Sequence, residues 1–487
     1  MAVNETKEPR DDGERDASPR GLLDKFLNIF TDVRGGEGLT ALLLFANVFL
    51  LLGAYYLLKT VREPLILVPK GGGAEIKSYA SAGIAVLLLI LVPIYGAIAS
   101  RVSRVKLING VTLFFMACLV VFFFWAQAVG VPGTLSVKGE PPTADTSQWL
   151  PLGVAFFIWV GIFNLMIIAQ FWAFANDLYT VKQGKRLFAL VALGASLGAI
   201  AGSFAAKGLI DRIGLYPPMA LAAVILALCM FLTNLAHQRE KRRHAGLVSS
   251  GVAPREGEDA QRAAADAPII GKSGFALVLA DRYLLLIALM MLLLNLVNTT
   301  GEYILGETLT NIGKGLVASG KLAEADMGKW IGGFYSGYFT WVNTVSALLQ
   351  AFIVSRIIKL LGVRAALLVL PLVALGAYVT LALYPILSII RTAKIAENSL
   401  DYSLNNTARQ TLFLPTSREA KYKAKQAVDT FFVRFGDVLS AGLVFVGTTW
   451  LAFSPKHFAI VNVVLVLIWI MIALALGKLF QEKSGER

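Results

Sequence analysis

The sequence predicts an all-α membrane protein of about twelve transmembrane helices, arranged as two six-helix halves. Three observations carry this. Of 487 residues, 56% are apolar and 16% charged, against about 25% charged in a soluble domain, and the mean hydropathy is +0.66. The apolar residues gather in runs near or above the roughly 20 residues of helix that cross a bilayer. These runs lie at 38–58, 79–99, 107–128, 149–176, 187–206 and 217–236, then at 283–305, 331–355, 365–384, 386–405, 426–451 and 458–477. Between the two sets, His237–Ser273 is charged and rich in Ala, Gly and Pro, the composition of a flexible linker. The expected organisation is a cytoplasmic N-terminal segment (1–37), a six-helix half (38–236), a cytoplasmic linker (237–273) and a second six-helix half (274–487).

Residues Met1–Arg20 are polar and lack an apolar core, so no cleaved secretory signal is expected. Leu22–Val33 reads as an amphipathic helix lying on the membrane surface. Lys and Arg then assign the sides. The linker is basic, as are the turns with Arg101/Arg104/Lys106, Lys182/Lys185/Arg186, Arg356/Lys359/Arg364 and Arg418/Lys421/Lys423/Lys425. The loop 129–148 holds only Lys138, and the turn near Pro385 holds no charge. Both termini are therefore expected in the cytoplasm of a multi-pass protein of the cell inner (plasma) membrane. One segment breaks the pattern: Lys59, Arg62, Lys70 and Lys77 follow the first span on the unfavoured side.

The net charge of +13 follows from this loop bias, and nucleic acid is not an expected partner; the lipid bilayer is. Cys118 and Cys229 lie inside apolar runs, and His237, His244 and His457 are far apart, so neither a disulfide framework nor a metal site is predicted. Gly315–Lys321 has the spacing of a phosphate-binding loop, but Leu322 stands where Mg²⁺ binding needs Ser or Thr, and no strand precedes it. The chain is therefore expected to be a carrier and not an enzyme, without cofactor; the sequence carries no signal of oligomeric state.

Ionisable groups inside apolar helices are costly and mark function. Lys59, Arg62 and Glu63 close the first span, and Asn298 and Glu302 stand at the matching end of the seventh. The tenth carries Arg391, Lys394, Glu397 and Asp401, a spacing that places them on one helical stripe. Such a stripe either lines an aqueous cavity or neutralises itself as a structural network. Guanidinium and ammonium groups near the midplane suit an anionic substrate. Moving an anion inward against a negative interior costs about 2.3 kcal/mol per charge per 100 mV, which counter-exchange or a co-transported cation offsets. A small organic anion, carried by exchange or symport, is the expected substrate. In a symporter Glu63, Glu302 or Glu397 would hold the proton. A non-transporting partner protein on the same fold would keep these charges as a closed network.

Internal similarity supports the halves. Ile98-Ala-Ser-Arg-Val-Ser-Arg104 resembles Ile353-Val-Ser-Arg-Ile-Ile-Lys359, and Lys59–Glu63 pairs loosely with Asn298–Glu302. Gly96–Lys106 resembles the major facilitator loop between second and third helices, with Ser100 in place of its usual Asp. That resemblance implies a substrate site between the halves and a gating role for Arg101, Arg104, Arg356 and Lys359. Phe171-Trp-Ala-Phe-Ala-Asn-Asp-Leu178, followed by Lys185–Ser196, resembles the ATP/ADP translocases of plastids and intracellular bacteria. Lys59–Leu67 with Gly73-Ala-Glu-Ile76, and Asn406–Pro415 with Lys423–Asp429, are similar to further segments of that family in the same order. The resemblance implies transport of a nucleotide-like or other phosphorylated anion by alternating access, and gives a substrate-contacting role to Arg62 and Lys425. Glu63 takes the place of a family Asp. The family's acidic residue in the fourth helix falls on Val160, and that of the seventh on Asn298, with Glu302 one turn beyond. Phe171, Trp172 and Phe174 read first as packing aromatics, and Gly194 and Gly198 as a small-residue pair for close helix contact.

Overall fold

The computed structural model describes residues 37–99, 101–133, 146–179, 181–249, 273–417 and 419–484. The segment Leu22–Val33 and linker residues 250–272 lie outside the described residues. The first six long helices are α1 (Gly38–Leu67), α2 (Ala74–Ala99), α3 (Arg104–Ala128), α4 (Trp149–Leu178), α5 (Val181–Ile213) and α6 (Pro217–Ser249). After a short helix, Gly274–Ala280, come α7 (Arg282–Ala318), α8 (Met327–Phe352) and α9 (Val354–Leu383, kinked at Gly362). α10 runs from Leu387–Leu400 through a π turn, Asp401–Asn405, into Asn406–Leu412; α11 (Lys425–Thr449) and α12 (Pro455–Ser484) complete the bundle.

Ten of these helices are long and apolar enough to cross a bilayer. The other two, α8 and α10, fall short for a physical reason. α8 presents Ser336, Asn343 and Ser346 among its aromatics, and α10 carries the charged stripe and is interrupted by the π turn. Ser336, Asn343, Lys394 and Glu397 find partners within the bundle, where lipid would leave them unsatisfied. The helices alternate in direction, so the start of α1, the α6–α7 linker and the end of α12 share one side, the linker side. The α1–α2, α5–α6 and α7–α8 turns lie on the far side.

Several helices outrun their apolar cores. α6 continues past residue 236 to Ser249, and α1 continues past residue 58 to Leu67 with Pro64 inside it. Lys59, Arg62 and Glu63 are thus held within α1, and Lys77 sits in the first turn of α2.

Within the first half, α1 and α5 approach backbone to backbone. A Cβ added at Gly194, Gly198 or Gly202 would meet the carbonyl oxygens of Phe45, Phe49 and Gly53 at 2.7, 2.1 and 2.2 Å. The expected small-residue contact is therefore a row of three. Gly198→Ala must push the helices apart, and overpacking of this kind costs about 1–3 kcal/mol. A lowered melting temperature of the detergent-solubilised protein is the expected result; an unchanged one would show that the seam has slack.

The halves meet along α5–α8 and α2–α11. The Ser336 hydroxyl donates to the Ser203 carbonyl (2.6 Å) and accepts from the Lys207 N–H (3.1 Å), and Tyr79 packs edge-on against Phe445.

Candidate functional site

On the far side, six buried or half-buried charges form a ladder of alternating sign that crosses from one half to the other. Arg62 Nε lies 3.1 Å from Glu63, and Lys77 Nζ lies 2.7 Å from Glu63 and 3.8 Å from Glu302. Lys394 Nζ is 3.8 Å from Glu302 and 3.0 Å from Glu397. On the α7 and α10 side, further hydrogen bonds support the ion pairs. Glu302 accepts from Tyr338 (2.8 Å) and Asn398 (3.1 Å), Glu397 accepts from Tyr378 (2.9 Å), and Lys394 also donates to the Asn298 side chain (2.7 Å). Taking an ion out of water costs several kcal/mol, which only close pairing with further hydrogen bonds offsets. Glu302, Lys394 and Glu397 meet both conditions, whereas Glu63 is held by its two ion pairs. Of the ladder's two 3.8 Å links, Lys77–Glu302 is the ion pair that joins the halves.

Lys59 differs. It is 8% exposed, yet among the described residues no carboxylate lies within ion-pair distance. Its ammonium is surrounded by rings: Phe339 at 4.4 Å, Tyr56 at 5.2 Å, Tyr55 at 5.8 Å and Tyr402 at 6.0 Å to the centroids. Cation–π attraction of a desolvated ammonium is worth about 2 kcal/mol or more, less than a paired carboxylate would supply.

Immediately on the linker side of these rings is a cavity of about 630 Å³ between the halves. Tyr55, Tyr56 and Tyr402 form its aromatic wall, and Asn164, Asn343, Asp401, Asn406 and Arg409 its polar one. The volume is that of a drug-sized ligand site. A larger cavity of about 790 Å³ between α2, α3 and α4 is lined almost wholly by aliphatic and aromatic side chains, with Ile94 and Phe114 exposed. It suits lipid chains and not a polar solute. The direct hydrogen bonds between halves, from Asn343–Ala199 (3.4 Å) to Lys77–Tyr335 (3.4 Å), lie at mid-depth or beyond it toward the far side. The cavity is thus sealed from the far side by the ladder and by α5–α8.

The TLC ATP/ADP transporter model matches residues 20–480 of this chain. The chain belongs to the TLC ATP/ADP transporter family. It is 24% identical to ADP,ATP carrier protein 1 of Chlamydia trachomatis, covering 89% of this chain and 87% of that protein. It is 23% identical to ADP,ATP carrier protein 1 of Chlamydia pneumoniae, covering 91% of each. Among solved structures it resembles the nucleoside transporter NupG (TM-score 0.56, 12% identity, 92% of this chain and 100% of that one). It also resembles a bacterial homologue of the iron transporter ferroportin in its inward-facing state (TM-score 0.58, 13% identity, 90% and 98%). These likenesses bear out the expected major-facilitator-like fold and the kinship read from the Phe171, Lys59 and Asn406 segments.

Against this TLC-family fold the expected site residues divide into groups. Arg62, Glu63, Asn298, Glu302, Lys394 and Glu397 come together in the ladder, and Lys59 stands beside it. Asp401 lines the cavity. Arg391 packs over Phe334, 5.3 Å from the ring centroid, and Lys425 pairs with Asp429 at 2.5 Å on the linker side; neither lines the cavity. Arg101, Arg356 and Lys359 are exposed at the linker side, and the side chain of Arg104 lies outside the described residues. Phe171 and Phe174 are buried packing aromatics. Sequence reasoning missed three kinds of residue: Lys77, whose misplaced charge was its signal; Arg409, inside a family-like stretch; and the tyrosines 335, 338 and 378, which carry no signal without the fold.

Proposed function

We propose that this protein is a secondary transporter that exchanges a nucleotide-like anion across the cell inner membrane by alternating access. The observation that carries the reading is a central polar cavity, closed on one side by a self-neutralised charge ladder, with one cation at the boundary that lacks a carboxylate among the described residues. The ladder groups satisfy one another in this closed state, so they leave Lys59 as the group for which an entering phosphate is the missing partner. The tyrosines around it present ring faces to a base. Family membership supports a nucleotide as the substrate: the relatives carry ADP and ATP in their names.

The linker side is the cytoplasmic side in this reading, since the basic turns gather there. Both termini are then cytoplasmic, and the structure is the state closed to the outside. Opening outward requires the Lys77–Glu302 link to part while each ion keeps its partner within its own half, Glu63 for Lys77 and Lys394 for Glu302.

Uptake by proteoliposomes tests the proposal. Labelled AMP, ADP or ATP should enter at least tenfold faster when the same nucleotide is inside than when the lumen is empty. Stimulation by a pH gradient in place of internal nucleotide would point to symport, and no movement of any nucleotide would remove the reading.

A further inference from the structure

The six ladder charges, three cations (Arg62, Lys77, Lys394) and three anions (Glu63, Glu302, Glu397), cancel. They present no net charge to a bound anion. Three charged groups stand at the cavity beneath among the described residues: Arg409 and Asp401 on its α10 wall, and Lys59 beside it, behind the tyrosine rings that line it. Two cations against one carboxylate leave a single net positive charge.

The α10 wall is a built feature. In a regular helix the neighbours of residue 401 are 404, 405 and 408. The π turn at Asp401–Asn405 adds a residue to the turn, and Asp401, Asn406 and Arg409 line the cavity together. π turns within helices are frequent at functional sites. Asp401 accepts from Asn405 at 2.8 Å, and Arg409 donates to Asn406 at 3.1 Å. Among the described residues no direct ion pair joins Asp401 to Arg409, and the Arg409 Nε is buried without a hydrogen-bond partner. The arginine is therefore left with donor capacity, while the carboxylate stays in the same chamber as an uncancelled negative charge.

We infer that this transporter selects phosphorylated nucleosides of low charge, monophosphates ahead of di- and triphosphates, and that Asp401 is the residue that sets the preference. This rests on the nucleotide-exchange reading. One phosphate finds Lys59 and Arg409. Each further phosphate brings charge for which the cavity has no cation among the described residues, and brings it toward Asp401. Unpaired like charge is an effective means of rejecting a competitor.

The test is competition in proteoliposomes holding the full chain, with AMP, ADP, ATP and uncharged adenosine. Wild-type protein should prefer AMP over ATP by tenfold or more in half-inhibitory concentration. Asp401→Asn should shift that ratio toward ATP by a further factor of about ten, while Asp401→Glu, which keeps the charge, should hold the wild-type ratio. ADP or ATP preferred by wild-type protein would overturn the inference and leave the exchange reading standing, as would an unchanged ratio in Asp401→Asn. Adenosine competing as well as AMP would overturn it too, since no phosphate would then be recognised. Failure of every nucleotide to compete or move would overturn the exchange reading and this inference together. The wild-type ranking needs no variant to fold.

Discussion

Lys59→Met is expected to raise the half-saturating nucleotide concentration by tenfold to a hundredfold while leaving the folded protein as stable as wild type or more so. Methionine keeps an unbranched stem among Tyr55, Tyr56, Phe339 and Tyr402 and removes the charge. A hydrogen bond to a charged group contributes about 1.5–3 kcal/mol, and each 1.4 kcal/mol is a factor of ten in affinity. The sign of the stability change separates function from structure. A buried cation held only by ring faces is a desolvation cost to the fold, so its removal should raise the melting temperature if it does anything. Transport lost together with stability would instead mean that Lys59 is part of the scaffold. Paired measurements of exchange kinetics and thermal unfolding on the same preparation decide between these outcomes.

The different behaviour expected of Lys59 and of the ladder explains how far the sequence could be read. Hydropathy located all twelve spans, because a window of apolar residues is a local property. It placed the end of the first span at residue 58, since Lys59, Arg62 and Glu63 read locally as the chain leaving the membrane. What keeps α1 helical to Leu67 is not local: Glu63 is neutralised by Lys77 from α2, and Lys77 reaches Glu302 of α7, far along the chain. α8 and α10 are legible as the runs 331–355 and 386–405, but what makes their polar side chains tolerable, partners on other helices, shows only in the folded bundle. The stripe on the tenth helix was visible in its spacing, but not which end of it meets solvent. Lys394 and Glu397 are sealed in the ladder, whereas Asp401, one turn on, lines the cavity. Both readings of that stripe were physically sound, and the structure divides the stripe between them. Arg409 escaped because it lies beyond the run 386–405 read as the tenth span, and the π turn that carries α10 on to Leu412 has no simple mark in the sequence.

Lys394→Met should be the most destabilising single change in the ladder. Lys394 is fully buried, 3.0 Å from Glu397 and 2.7 Å from the Asn298 side chain. Removing it strands two carboxylates. Glu397 keeps Tyr378 as its hydrogen-bond donor, and Glu302 keeps Tyr338, Asn398 and the distant Lys77. Breaking a buried pair from one side costs about 3–5 kcal/mol, chiefly through the charge left behind, whereas replacing both partners with neutral groups of similar volume is often near neutral. The double variant Lys394→Met/Glu397→Gln should therefore recover most of the stability lost by Lys394→Met alone. Tyr378 can still donate to the amide oxygen that Glu397→Gln introduces. Thermal unfolding of the wild type, both single variants and the double variant closes the cycle, with a coupling of about 0.5–3 kcal/mol expected for residues in one network. Additive losses would mean that the two side chains do not share their energy, and that the ladder is a row of separate contacts. A coupled pair also makes a prediction for transport. With the Lys394–Glu397 pair gone, Glu302 has lost the cation that holds it within its own half. Glu302 then depends on Lys77 across the interface, so outward opening should slow in the double variant even though the fold is restored.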